Sequence, residues 1–89
     1  MAYIFIRHKV QDFGKWKQAY DGHQPVREAA GLKDLYVWHN VDNANKISLL
    51  FEASDMAKAK EFAESADLKE KMTDAGVIAP PDIIFLTDA

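Results

Sequence analysis

The chain is 89 residues long, 48 % apolar and 28 % charged, which makes it one small globular domain and excludes an intrinsically disordered chain. Its net charge of −3, from 14 acidic and 11 basic side chains with no long run of one sign, lacks the basic footprint that nucleic acid or an anionic membrane would demand. With no cysteine there is no disulfide framework, thiol nucleophile, iron–sulfur cluster or Cys-ligated zinc.

The N-terminus enters a strand without a charged region ahead of a long apolar core. No apolar run approaches the roughly 18 residues of a membrane span, so a cytoplasmic protein is the expectation. That first strand, Ala2 to Val10, sets Tyr3 and Phe5 against Ile4 and Ile6, so both of its faces need to be dry.

Asp12 stands where a helix N-cap belongs, and Phe13, Trp16, Tyr20, His23 and Arg27 follow at steps of three and four as one stripe. Gly22 and Pro25 interrupt the stripe and predict a kink or restart near Gln24. Leu32 to Val41 reads as a strand with Leu35, Val37, His39 and Val41 on one face and Tyr36, Trp38 and Asn40 on the other. The turn formers Asp42 to Asn45 join it as a hairpin to a strand from Lys46 to Ala53. Ser54 or Asp55 caps a second helix with Ala59, Phe62, Ala63 and Ala66 inward. Ser65 is placed to cap a second piece of that helix carrying Leu68, Met72 and Ala75. Gly76 stops it, Pro80 and Pro81 forbid helix, and Asp82 to Thr87 forms the last strand.

Strand, helix, strand, strand, helix, strand is the ferredoxin-like α+β arrangement, an antiparallel four-stranded sheet with the first and third strands central. The whole chain, residues 1–89, is one such domain. Its two helical regions cover one sheet face. The other face is left with an apolar patch larger than a soluble monomer usually exposes, and a face-to-face homodimer buries it with the fewest assumptions.

Three segments carry a resemblance: RHKVQDF at the end of the first strand, WKQAYDGHQPVREAAGL after it, and ESADLKEKMTDAGV ahead of PPDI. The chain resembles, over nearly its whole length, the dimeric α/β-barrel superfamily, which includes antibiotic biosynthesis monooxygenases, small polyketide cyclases and haem-degrading monooxygenases. The resemblance implies a homodimer with a cleft between helices and sheet. It further implies a cofactor-independent monooxygenase or cyclase acting on an aromatic or polyketide-like small molecule. Fold likeness does not choose among these reactions. In the haem-degrading members an Asn, a Trp and a His would fall near Ile6, Phe51 and Met72; none matches, which argues against haem degradation.

The residues themselves single out Tyr20, His23 and Arg27, polar groups on a stripe that turns toward the sheet and that therefore need partners. In a cleft, Arg27 would hold an anionic or enolate oxygen and His23 would move a proton near neutral pH. Alternatively the kink rotates both outward and Arg27 pairs with Glu28. His8 and His39 share strand faces with apolar residues and would meet a ligand between Trp16 and Phe62, although such a histidine is commonly structural. Neither spacing nor flanking carboxylates make the three histidines a metal site. Trp38, Tyr36 and Asn40 are assigned to the dimer face.

The RNA-recognition fold has the same element order, but its third-strand signature is replaced here by NKISLLFE, and the acidic balance opposes RNA binding. The charges of DLKEK read as a solvated face. The expected site is an apolar pocket lined by Trp16, Tyr20, Phe51, Phe62 and Met72, with His8, His23, Arg27 and His39 as polar candidates. The rival expectation is a non-enzymatic homodimer, ligand-binding or purely structural.

Overall fold

The computed structural model describes residues 2–89. In chain order the elements are β1 (Ala2–Lys9), α1 (Phe13–Gly22), α2 (Gln24–Ala29), β2 (Leu32–Asn40), β3 (Asn43–Ala53), α3 (Met56–Ala63), α4 (Ala66–Asp74) and β4 (Asp82–Thr87). The sheet is antiparallel in the order β2-β3-β1-β4, so β1 and β3 are the central strands of a ferredoxin-like α+β fold.

Both helical regions are split where their sequences lack a continuing donor or supply a cap. Asp12 caps α1 by accepting from Lys15 N at 3.2 Å. Pro25, at the start of α2, has no N–H to give to the turn below, and the chain restarts with His23 O accepting from Val26 N and Arg27 N. Asp55, not Ser54, caps α3, accepting from Ala57 N at 2.9 Å. The Ser54 hydroxyl instead donates to Gly31 O at 3.2 Å. Ser65 divides α3 from α4, donating to Phe62 O at 2.8 Å and accepting from Leu68 N at 3.1 Å.

Gly31 ends the first helical region at a φ of +80°, a left-handed conformation that favours glycine. A Cβ there would meet Ser54 Oγ at 2.6 Å, so a side chain at this junction is strained and has to displace the Ser54 hydroxyl.

Cross-strand partners define the inner face. Ile4, Ile6 and His8 of β1 face the helices with Phe51, Leu49 and Ile47 of β3, and Trp16 of α1 and Ala59 of α3 complete the buried cluster. On the outer face one row, Tyr36, Leu50, Phe5 and Ile84, crosses all four strands. Tyr36, Trp38, Ile84 and Leu86 are exposed there, and the Tyr36 and Trp38 rings stack at 4.8 Å.

Four details differ from the sequence reading. The hairpin turns at Val41 and Asp42, and β3 begins at Asn43 rather than Lys46, so Val41 is wholly exposed rather than facing inward. The added length of β3 is held by Asn45, which accepts from Phe13 N at 2.9 Å through Oδ1 and donates to Gln11 O at 3.3 Å. β1 stops at Lys9, and Val10 makes a separate bridge to Val77. Most consequential is a bulge in β2: Asp34 pairs with Phe51 and Tyr36 with Leu50, leaving Leu35 as the extra residue. Leu35 therefore has no place in the Val37 and His39 alternation, and Asp34 shares the inner side. No helix among the described residues is long and apolar enough to cross a membrane.

Candidate functional site

Between the helices and the inner sheet face lies a cavity of ≈ 370 Å³. Ile4, Ile6, Leu49 and Phe51 form its floor, Trp16, Tyr20 and His23 come from the first helical region, and Phe62, Leu68 and Met72 from the second. Small residues at Ala19, Gly22, Ala63 and Ala75 leave the room. A volume of this order is that of a small-molecule site.

One wall is a column of stacked groups that follows from the three- and four-residue spacing on α1 and α2. The His8 and Trp16 rings meet edge to face at 5.4 Å, Trp16 and Tyr20 stack at 4.9 Å, and the Arg27 guanidinium carbon lies 3.7 Å from the Tyr20 ring centroid. Arg27 is only 5 % exposed, and each of its three side-chain nitrogens donates within the protein. Nε donates to Asp34 Oδ1 and Nη2 to Asp34 Oδ2, each at 3.0 Å, while Nη1 donates to Tyr20 O at 2.7 Å. This is the bidentate fork that a planar guanidinium makes with a carboxylate. Arg27 is thus turned inward, with Asp34 rather than Glu28 as its partner.

The other polar groups differ in kind. His8 is 7 % exposed, and neither ring nitrogen has a protein hydrogen-bond partner. Burial alone takes it from 6.5 down to about 4, so it is uncharged at neutral pH. The Tyr20 hydroxyl is enclosed without a hydrogen bond of good geometry. Desolvation raises this phenol well above its ordinary range, Arg27 offsets part of the rise, and the nearby Asp34 carboxylate adds to it. His23, at the α1–α2 junction, borders the cavity half-buried. Its pKa is lowered by desolvation first and by Arg27 second, with Asp67 opposing and Lys71 reinforcing.

The structure therefore gathers His8, Trp16, Tyr20, His23, Arg27, Phe51, Phe62 and Met72 around one cavity. His39 is not among its lining residues. It is exposed, packs against Phe13 at 5.2 Å, and has Nδ1 2.9 Å from Asn40 O. Three charged residues were not singled out by sequence: Asp34 behind Arg27, and the exposed Lys71 and Asp74 at the cavity rim. The bulge hid Asp34 from an alternation rule, whereas Lys71 lies one residue before the recognised Met72. Among the described residues no cluster of three or more His, Cys, Asp or Glu side chains could hold a metal.

No family model matches the chain, and no curated protein matches it either. Solved structures do. A protein provisionally named an antibiotic biosynthesis monooxygenase, from Bordetella bronchiseptica, is similar with a TM-score of 0.80 at 14 % identity, over 99 % of this chain and 96 % of the other. A provisionally named antibiotic biosynthesis monooxygenase from Nitrosomonas europaea has a TM-score of 0.72 at 14 % identity, over 99 % and 98 % of the two chains. An uncharacterised NIPSNAP domain protein from Burkholderia xenovorans has a TM-score of 0.68 at 10 % identity, over 100 % and 95 %. The chain shares the fold of these proteins along essentially its full length.

Proposed function

We propose that this protein is a cofactor-independent monooxygenase or cyclase that acts, as a homodimer, on an aromatic or polyketide-like small molecule. The observation that carries the reading is an apolar cavity bordered by a histidine, His23, whose lowered pKa leaves it neutral and able to accept a proton. The names of the solved structures that share the fold support the same class.

In this reading the substrate lies against Trp16, Phe51 and Phe62, and His23 takes a proton from its phenol or enol. Arg27 favours the resulting anion only at longer range, because its charge is offset by Asp34 and each of its nitrogens already donates to Asp34 or to Tyr20 O. The electron-rich ring then reacts with itself, or with dioxygen. In the second case a ring CH₂ becomes C=O and the other oxygen atom leaves as water with the two hydrogens.

Oxygen uptake and product formation over a panel of hydroxyaromatics test this, with His23→Ala expected to lower kcat by roughly a hundredfold or more. Unchanged turnover in that variant would remove His23 from the mechanism. The second reading, a binding protein without turnover, is favoured by the pairing of Arg27 with Asp34; ligand binding with no reaction across the panel is its expected result.

The dimer is carried by the row Tyr36, Leu50, Phe5 and Ile84, a band that water alone would otherwise cover. Sedimentation at micromolar concentration is expected to give a dimer for the natural chain and a monomer for Ile84→Lys. A stably folded single copy of the natural chain would overturn the assembly.

A further inference from the structure

Two enclosed polar groups of the cavity keep hydrogen-bonding capacity that the fold does not use, and a third that looks available is already paired. Both ring nitrogens of His8 lack a protein partner, a condition that costs stability in any buried position, and the Tyr20 hydroxyl, enclosed beside the Asp34 carboxylate, accepts from no protein donor. Arg27, the cationic group nearest them, is compensated in charge by Asp34, and each of its three side-chain nitrogens already donates within the protein. At the rim, Lys71 and Asp74 are exposed and of opposite sign. Deep in the cavity there is therefore hydrogen-bonding capacity without net charge.

We infer that the cavity selects an uncharged, flat ligand of about two fused rings bearing a hydroxyl group, with His8 and Tyr20 as the residues that recognise that hydroxyl and reject anions. The size follows from the volume: a cavity of about 150 Å³ holds one benzene ring, and this one is ≈ 370 Å³. The chemistry follows from the side chains. A neutral imidazole offers one donor and one acceptor, and a phenol offers a donor and an acceptor; a hydroxyl can complement either. A carboxylate beside His8 and Tyr20 would lie against apolar side chains, with Arg27 already offset by Asp34 and Lys71 only at the rim, at a large desolvation cost.

The His8 ring borders the cavity while its nitrogens are enclosed in the present orientation. No hydrogen bond fixes it there, and a half-turn about its broad, two-fold χ2 exchanges nitrogen for carbon positions, so a ligand hydroxyl has a nitrogen to capture.

This inference rests on the cavity reading above but not on turnover. Isothermal titration at neutral pH compares 1-naphthol, 1-methylnaphthalene and 1-naphthoate as probes. Naphthol is expected to bind saturably and about tenfold more tightly than methylnaphthalene, the worth of one enclosed hydrogen bond. Naphthoate is expected to bind about a hundredfold more weakly than naphthol, or not measurably. In His8→Leu the preference for naphthol over methylnaphthalene is expected to vanish, and Tyr20→Phe is expected to reduce it. The three-probe comparison on the natural chain stands even if a variant fails to fold.

Equal affinity for naphthol and methylnaphthalene, naphthoate binding as tightly as naphthol, or no saturable naphthol binding at millimolar concentration would each overturn the inference. Selective naphthol binding with neither oxygen uptake nor product formation across the hydroxyaromatic panel supports it while removing the enzyme reading. Turnover in a protein that holds naphthoate as tightly as naphthol does the reverse.

Discussion

Asp34→Ala is expected to lower stability by about 3 kcal/mol, because it leaves the Arg27 guanidinium buried without its counter-charge. Arg27 is 6 % exposed in its side chain and Asp34 30 %, which places the effect at the low end of the range for a broken buried pair. Against a total of roughly 4–13 kcal/mol for a domain of this size, that loss is large. It corresponds to a fall in Tm of about 12 °C or more. The pair as a unit contributes far less than this. Arg27→Met combined with Asp34→Leu removes both charges together and is expected to recover most of the loss, since replacing a buried ion pair by apolar groups of similar size is often nearly neutral. Urea unfolding of the two single variants and the double variant measures the cycle. A double variant as unstable as Asp34→Ala would show that Tyr20 and β2 depend on the guanidinium itself.

Lowering the pH from 7 to 4 is expected to weaken the fold by about 3 kcal/mol through His8 alone. In the unfolded chain this imidazole binds its proton near 6.5, whereas in the folded chain burial holds the pKa at about 4. Between those values the unfolded state carries the extra proton, so stability is complete above 6.5, declines as the pH falls, and levels off below 4. His23 shifts in the same direction and adds a smaller decline. His8→Leu is expected to remove most of this pH dependence. At pH 7 it is also expected to stabilise the free protein by about 1–3 kcal/mol, because an enclosed imidazole without partners is replaced by an apolar side chain of similar bulk. Denaturant midpoints of both proteins across pH 4–7 provide the measurement. A natural chain whose stability is flat over that window would mean that His8 is already hydrogen-bonded or solvated. Since the residue that weakens the fold is also the one inferred to greet a ligand, stability and binding are expected to move in opposite directions on this substitution.

The elements were legible because their signals are local. Pro25 and Ser65 announce the two helix breaks, and the three- and four-residue spacing from Phe13 to Arg27 brings the aromatic column to one side. Strand parity in β1 correctly set Ile4, Ile6 and His8 apart from Tyr3 and Phe5. What was not legible depended on a single inserted residue. A period-two rule applied through Leu35 sends Asp34 to the outer face, so the counter-charge of Arg27 was invisible and the arginine read as free to hold an anion. The same rule kept His39 on the helix side, which is correct for its parity since it pairs with Ile47. It said nothing of how far along β2 the cavity extends, and His39 lies beyond it, against Phe13. The hairpin was drawn too wide because Asn43 and Asn45 are common turn residues; here Asn45 does its bridging from within the strand.

Leu35 has one more implication. Because Asp34 and Tyr36 already face opposite sides and pair with the adjacent Phe51 and Leu50, excising Leu35 would leave the partner of every other β2 residue unchanged and give a regular ladder from Leu32 to His39, up to the second irregularity between His39 and Asn40. Within that run Leu35 is where chain length is uncoupled from side-chain facing, so a deletion elsewhere in it would reverse whole rows while a deletion here would only relax a bend. Relatives one residue shorter at this point are compatible with the same ion pair and the same outer aromatic row.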